Sequence, residues 1–157
     1  MADSIQEQLV KKIVAELALI TTGAGSIYSN TIASVQRLNL RGISTGTLPT
    51  LLVLEGETGS ELITAPYVRR RMELEVIVIA AQDDSDSRSG GEILNSLVAD
   101  VDLAFAKTRQ WGGLAYETRP PVYFDTELVA EQPYLSKGLR FEIVFDHLRN
   151  DPYRNDA

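Results

Sequence analysis

Few side chains in this 157-residue sequence could do chemistry, and their spacing decides what chemistry that would be. His147 is the only histidine, and cysteine is absent. A lone imidazole can serve as a general base, but a zinc-type centre would need further imidazole or thiolate ligands. Its place between Asp146 and Leu148, at the end of an alternating apolar run, favours a strand-end histidine that is hydrogen-bonded or faces solvent. Ser–His–Asp chemistry lacks a nucleophile elbow, because no serine sits in a recognisable strand-to-helix turn. Gly23-Ala24-Gly25-Ser26 is half of a phosphate loop, yet it follows a helical pattern and has no lysine partner. Asp83, Asp84 and Asp86 alternate like the start of a calcium loop, but the sixth position is Arg88 instead of glycine. A solvated acidic loop is the simpler account. Paired carboxylates of the glycosidase kind stay open, since their separation is a spatial property.

Arg69-Arg70-Arg71 is the last candidate, as a nucleic-acid patch. On a strand, Arg70 points away from its two neighbours, so no continuous basic stripe forms. Glu73 and Glu75 follow on the Arg69/Arg71 face, and Ile77 and Ile79 after them. Positive charge at one end of a face and negative charge at the other is complementary to a shifted or rotated copy of the same surface. These six residues are therefore the candidate subunit interface. The expectation is a protein that is not an enzyme, with no cofactor and no metal.

Composition agrees with a chain that assembles. The net charge is −7, which speaks against a main task of gripping nucleic acid but allows an acidic channel wall past which DNA slides. With 44% hydrophobic and 24% charged residues, the chain has the balance of one globular domain. No run is long enough to cross a bilayer, and Met1–Lys12 lacks the pattern of a signal peptide.

The elements that must position these residues can be read in order. Ser4-Ile5-Gln6-Glu7 is a capping box, and Ile5, Leu9, Ile13, Leu17 and Ile20 continue it as an amphipathic helix that Gly23 ends. A strand is expected over Ile32–Leu40, and a second over Leu51–Leu54, closed by the loop Glu55–Gly59. The long strand Tyr67–Gln82 turns Val68, Met72, Leu74, Val76, Val78 and Ala80 to the core. After the acidic loop, a second amphipathic helix buries Ile93, Leu94, Leu97, Val98, Val101, Ala104 and Phe105. Tyr116–Val129 reads as irregular edge strand broken by Pro120-Pro121, and Leu139–Leu148 as the last strand. The fold class is α+β, a mainly antiparallel or mixed sheet with two amphipathic helices on one face. One domain spans 1–157, with a flexible tail over 149–157.

This order, with several local phrases, resembles the phage tail terminator (tail-completion, head–tail joining) family. The phrases are the capped first helix, Pro49–Leu54 followed by Glu-Gly-Glu, the charged-then-apolar long strand with its acidic loop, Trp111-Gly112-Gly113-Leu114-Ala115, and Phe141-x-x-x-Phe145 followed by Arg149-Asn150-Asp151-Pro152. The resemblance implies a structural virion protein. It would form a homohexameric ring at the head-proximal end of the tail tube, stop tube polymerisation and dock the head connector. The implied partners are the chain itself, the tail tube protein, connector or neck proteins and, in contractile tails, the sheath protein. DNA only passes through the lumen and no membrane is involved; the protein would sit in the virion neck, and in the host cytoplasm during assembly. Onto that ring map the six interface residues above, Asp83, Asp84 and Asp86 as a lumen or partner loop, and Arg149, Tyr153 and Arg154 as a docking tail. The Gly-rich stretches 42–46 and 56–59 would adapt to the tube. Rival readings are another neck component, a small acidic enzyme with a carboxylate-based site, and a monomeric binding module.

Overall fold

The computed structural model describes residues 2–37, 48–64, 66–81, 88–126 and 134–155. Helix α1 (Ile5–Leu17) starts where Ser4 accepts the Glu7 backbone N–H at 3.1 Å. Only half of the expected capping box forms. The Glu7 carboxylate turns to Arg37 instead, which donates to it at 2.7 and 3.2 Å, and a two-bond charged pair outcompetes a single bond to the cap. The helix ends at Leu17 with Ala18 as its cap, ahead of Gly23, while Ile20 remains fully buried in the turn that follows.

Strand β1 (Ser34–Arg37) begins two residues later than expected, residues 38–40 of that expectation lying outside the described residues, and it pairs in parallel with β2 (Thr50–Thr64). The expected loop over Glu55–Gly59 is instead the middle of β2. The strand absorbs one extra residue as a bulge between Glu55 and Thr58 and continues antiparallel to β3 (Tyr67–Ala81). A glycine is needed there: a Cβ on Gly56 would lie 3.2 Å from both the Cβ and the carbonyl oxygen of Glu73. Helix α2 (Gly90–Lys107) begins on Ser89, which accepts from Glu92 N. The Pro120-Pro121 pair separates β4 (Glu117–Thr118) from β5 (Val122–Phe124), and both lie antiparallel along β6 (Tyr134–Leu148). The sheet runs β1-β2-β3-β6-β4, with β5 also on β6 and a single parallel pair. This is an α+β fold with a mixed, mainly antiparallel sheet.

Both helices pack into one core against one sheet face, to which α1 contributes Leu9, Ile13 and Leu17 and α2 contributes Leu97, Val101 and Phe105. Phe105 stacks on Phe141 at 3.7 Å and meets Trp111 edge-on at 5.1 Å. The Trp111 indole N–H donates to Thr118 Oγ1 at 2.9 Å, and Thr118 donates on to the Arg109 carbonyl at 2.7 Å. That chain of bonds fixes the turn Trp111–Gly113, whose three residues all have positive φ. A tryptophan tolerates φ 49° here because its ring is fully buried and its one donor is used.

Candidate assembly surface

The sheet face away from the helices carries the predicted interface residues, but its charges are already paired within the protomer. Arg69 holds Asp146 through two bonds, at 2.9 and 3.0 Å, and its guanidinium stacks 4.1 Å above the Tyr116 ring. Arg71 donates to Glu142 at 3.1 Å and to Glu61 at 3.2 Å. Glu75 accepts from Arg140 at 3.1 and 3.2 Å. The register explains this: Arg69 stands opposite Asp146 and Glu75 opposite Arg140, so β6 supplies the countercharges from the next strand. The hydrogen bonds they donate to Asp146 and Glu142 raise the Arg69 and Arg71 pKa values further, so both stay charged throughout. The expectation that Arg69, Arg71 and Glu75 pair between ring neighbours therefore gives way to pairing inside one chain.

Ile77 and Ile79, on the outward face, were expected to bury apolar area between ring neighbours or under a loop. They lie on that outer face but are 3% and 1% exposed, covered by the protomer itself. Part of the cover is visible at Gly138, which stands opposite Ile77. The Phe124 ring occupies the space where a Gly138 Cβ would be, with the Arg140 guanidinium 5.0 Å from the ring centre. Glu73 alone of the six is exposed without an ion pair among the described residues, and it stands directly opposite Glu142. The sheet's like-charge conflict is thus concentrated there, with Arg71 drawn to Glu142.

The C-terminal segment is also not the free tail expected. Ile5 N donates to Pro152 O at 2.9 Å, Leu148 N to Arg154 O at 2.8 Å, Arg149 N to Pro66 O at 2.6 Å and Asn155 Nδ2 to Gly113 O at 3.3 Å. These backbone bonds tie residues 149–155 to the start of α1, the β2–β3 turn and the Trp111 turn. Tyr153 stays exposed on the outside of this clamp. Asp83, Asp84, Asp86 and the stretch 42–46 lie outside the described residues.

His147 is buried, with both nitrogens engaged. Arg70 Nε donates to Nε2 at 3.0 Å, which leaves Nδ1 to carry the proton and donate to Leu148 O at 2.8 Å. Neither nitrogen is free to take a substrate proton. The sequence does hold one Gly-x-Ser-x-Gly phrase, Gly42-Ile43-Ser44-Thr45-Gly46, the form of a hydrolase nucleophile turn, and it lies outside the described residues. Among the described residues no group of three His, Cys, Asp or Glu side chains could hold a metal ion, and no helix is long and apolar enough to cross a membrane.

Two features went unrecognised in the sequence. Asp100, on the buried stripe of α2, is 4% exposed and accepts from Ser29 N, Asn30 N and Asn30 Nδ2. Its signal was available: an acid at helical spacing between Leu97 and Ala104 is out of place unless something donates to it. The second is an open groove of about 790 Å³ beside the Trp111 turn, lined by residues of the 106–113 segment with Tyr116 and Glu117. Its lining includes Lys107 and Arg109. Lys12 reaches the same turn from α1, its amino group filling the space a Gly112 Cβ would take. In comparisons with known proteins, no family model and no curated protein matches this chain.

Proposed function

We propose that this chain is an assembly subunit that closes into a ring and terminates a phage tail tube at its head-proximal end. The identity of the tube rests on the resemblance of the sequence phrases. The observation that carries the assembly reading is the β2–β3 arm. Strand β1 pairs only with Thr50–Val53, so from Leu54 to Thr64 the outer edge of β2 has no strand partner among the described residues. A long exposed edge is a template for another chain, and most monomers shorten or cover theirs. Here the edge stands on one side of the sheet, and β4 and β5 form the other. Two unlike edges on one protomer support head-to-tail contacts, which close into rings.

Sedimentation and light scattering over a wide concentration range, alone and with purified tube protein, test this. The expected result is a discrete ring that caps tube ends and halts their growth. A chain that stays monomeric at every concentration, with tube protein present or absent, would sink the proposal. A ring that binds only connector protein and ignores tube ends would move the chain to another position in the neck.

A further inference from the structure

We infer that the β2–β3 arm of one copy docks in the Trp111 groove of a second copy, with Glu57 of the arm answering Arg109 of the groove and Lys12 beside Gly112. The inference rests on the assembly reading above and names its contact. From Leu54 to Thr64 the arm carries three carboxylates and no cation. Glu55 is held by Arg37 and Glu61 by Arg71, but Glu57 has no partner among the described residues. It sits in the bulge between Glu55 and Thr58, where the strand departs from its regular register, and it is exposed. At the groove the position is reversed. Arg109 and Lys12 are exposed and neither has an ion pair among the described residues, although most arginines on the sheet are paired.

An unpaired anion on one feature and unpaired cations on the other are complementary, and one copy cannot satisfy both. The arm edge belongs to β2 and the groove lies beside β4, three strand spacings away across β3 and β6, or about 14 Å. The edge also faces away from the groove. A contact between them therefore joins two copies heterologously, with the same two surfaces used at every junction. The glycine-containing edge (Gly56, Gly59), without a strand partner among the described residues, lets an extended strand approach the groove wall closely.

The absence of cysteine gives a clean test. Glu57→Cys protein is mixed with Arg109→Cys protein under mild oxidation, and each is also oxidised alone. The proposal expects a mixed-chain disulfide formed well in excess of either self-linked product. In parallel, Glu57→Lys and Arg109→Glu are compared singly and together by sedimentation. Each single reversal should weaken association by about tenfold or more, and the double reversal should restore most of it. In dilute, dissociated protein, thermal unfolding of all variants should match the parent, because neither side chain has an ion pair among the described residues. A ring that forms normally in both single variants, with no preferred mixed disulfide, overturns the arm-to-groove contact while leaving the ring reading intact. A parent chain that never self-associates overturns both. Monomers whose Arg109→Glu variant loses binding to tube protein would assign the groove to that other protein, and so overturn docking by a second copy.

Discussion

Replacing Asp100 with alanine should destabilise the fold more than any surface charge change, and the size can be worked out from its bonds. Asp100 accepts from Asn30 N and Asn30 Nδ2, each at 2.8 Å, and from Ser29 N at 3.1 and 3.2 Å. Ser29 is exposed, so water can replace the carboxylate there. Asn30 is 8% exposed, so its backbone N–H and the one Nδ2–H aimed at Asp100 lose their acceptor in a place largely closed to water, while the other Nδ2–H keeps Ser96 Oγ at 2.8 Å. Each buried donor left unpaired costs about 1–3 kcal/mol, giving roughly 2–6 kcal/mol in all. At roughly 2–4 °C per kcal/mol for a chain of this size, a mid-range loss of about 4 kcal/mol lowers Tm by about 8–16 °C. Urea unfolding followed by circular dichroism measures the loss directly. Asn30→Ala removes one of the two stranded donors, so Asp100→Ala should cost less in that background. A loss under about 1 kcal/mol would refute the reasoning, because it would mean the 29–30 turn finds its hydrogen bonds elsewhere.

Three further outcomes follow from the geometry. Gly138→Ala pushes a Cβ into the Phe124 ring and should cost about 1–3 kcal/mol in denaturant unfolding; in a Phe124→Ala background the cost should largely vanish. Tyr123 donates to Asp102, and that bond, with some burial, pushes its phenol up to about 12. A raised acid favours the protonated fold, so this stability is full below pH 10 and fades as pH rises through 10–12; an alkaline absorbance titration of Tyr123→Phe should lack the highest-titrating phenol. The Glu7 carboxyl is held below its ordinary value by the hydrogen bond from Arg37. Its contribution is present above pH 4.5 and is lost as pH falls through the lowered folded value, so an acid-unfolding curve of Arg37→Ala should show a weaker dependence in that window.

The helices and the central strands were legible because local patterns fixed them. The Ser4–Glu7 spacing, the stripe from Ile5 to Leu17 and the alternation through Met72, Leu74 and Val76 all survive in the structure. The end of β2 was not legible, because Glu55-Gly56-Glu57-Thr58-Gly59 has turn composition. Pairing with the strongly strand-forming β3 overrides that composition, and the bulge takes up the misfit. The outer face failed for a related reason. A strand read alone shows which side its charges occupy, but only the neighbouring strand's register shows whether they are satisfied. Arg69 and Glu75 looked available until Asp146 and Arg140 stood opposite them. The isoleucines looked exposed because nothing in Tyr67–Gln82 reveals that Phe124 lies across the Gly138 position beside them.

That register also changes what a charge reversal at Arg71 would report. Were Arg71 unpaired in the protomer, Arg71→Glu would probe a ring contact. In this structure the substitution removes bonds to Glu142 and Glu61 and sets a third acid beside Glu73 on the same face. The damage falls on the fold. Burying an already neutralised lattice between subunits would also strip water from paired ions that gain no new partner, a net cost for assembly. The proposed contact between copies uses instead the charges without an ion pair among the described residues, at the β2 edge and beside the Trp111 turn. The two locations separate in one pair of measurements. Arg71→Glu should lower the thermal midpoint of dilute, dissociated protein, whereas Glu57→Lys should leave that midpoint unchanged and weaken association. Equal thermal midpoints for Arg71→Glu and the parent would show that the lattice contributes nothing to the protomer, and would return this face to the candidates for the subunit interface.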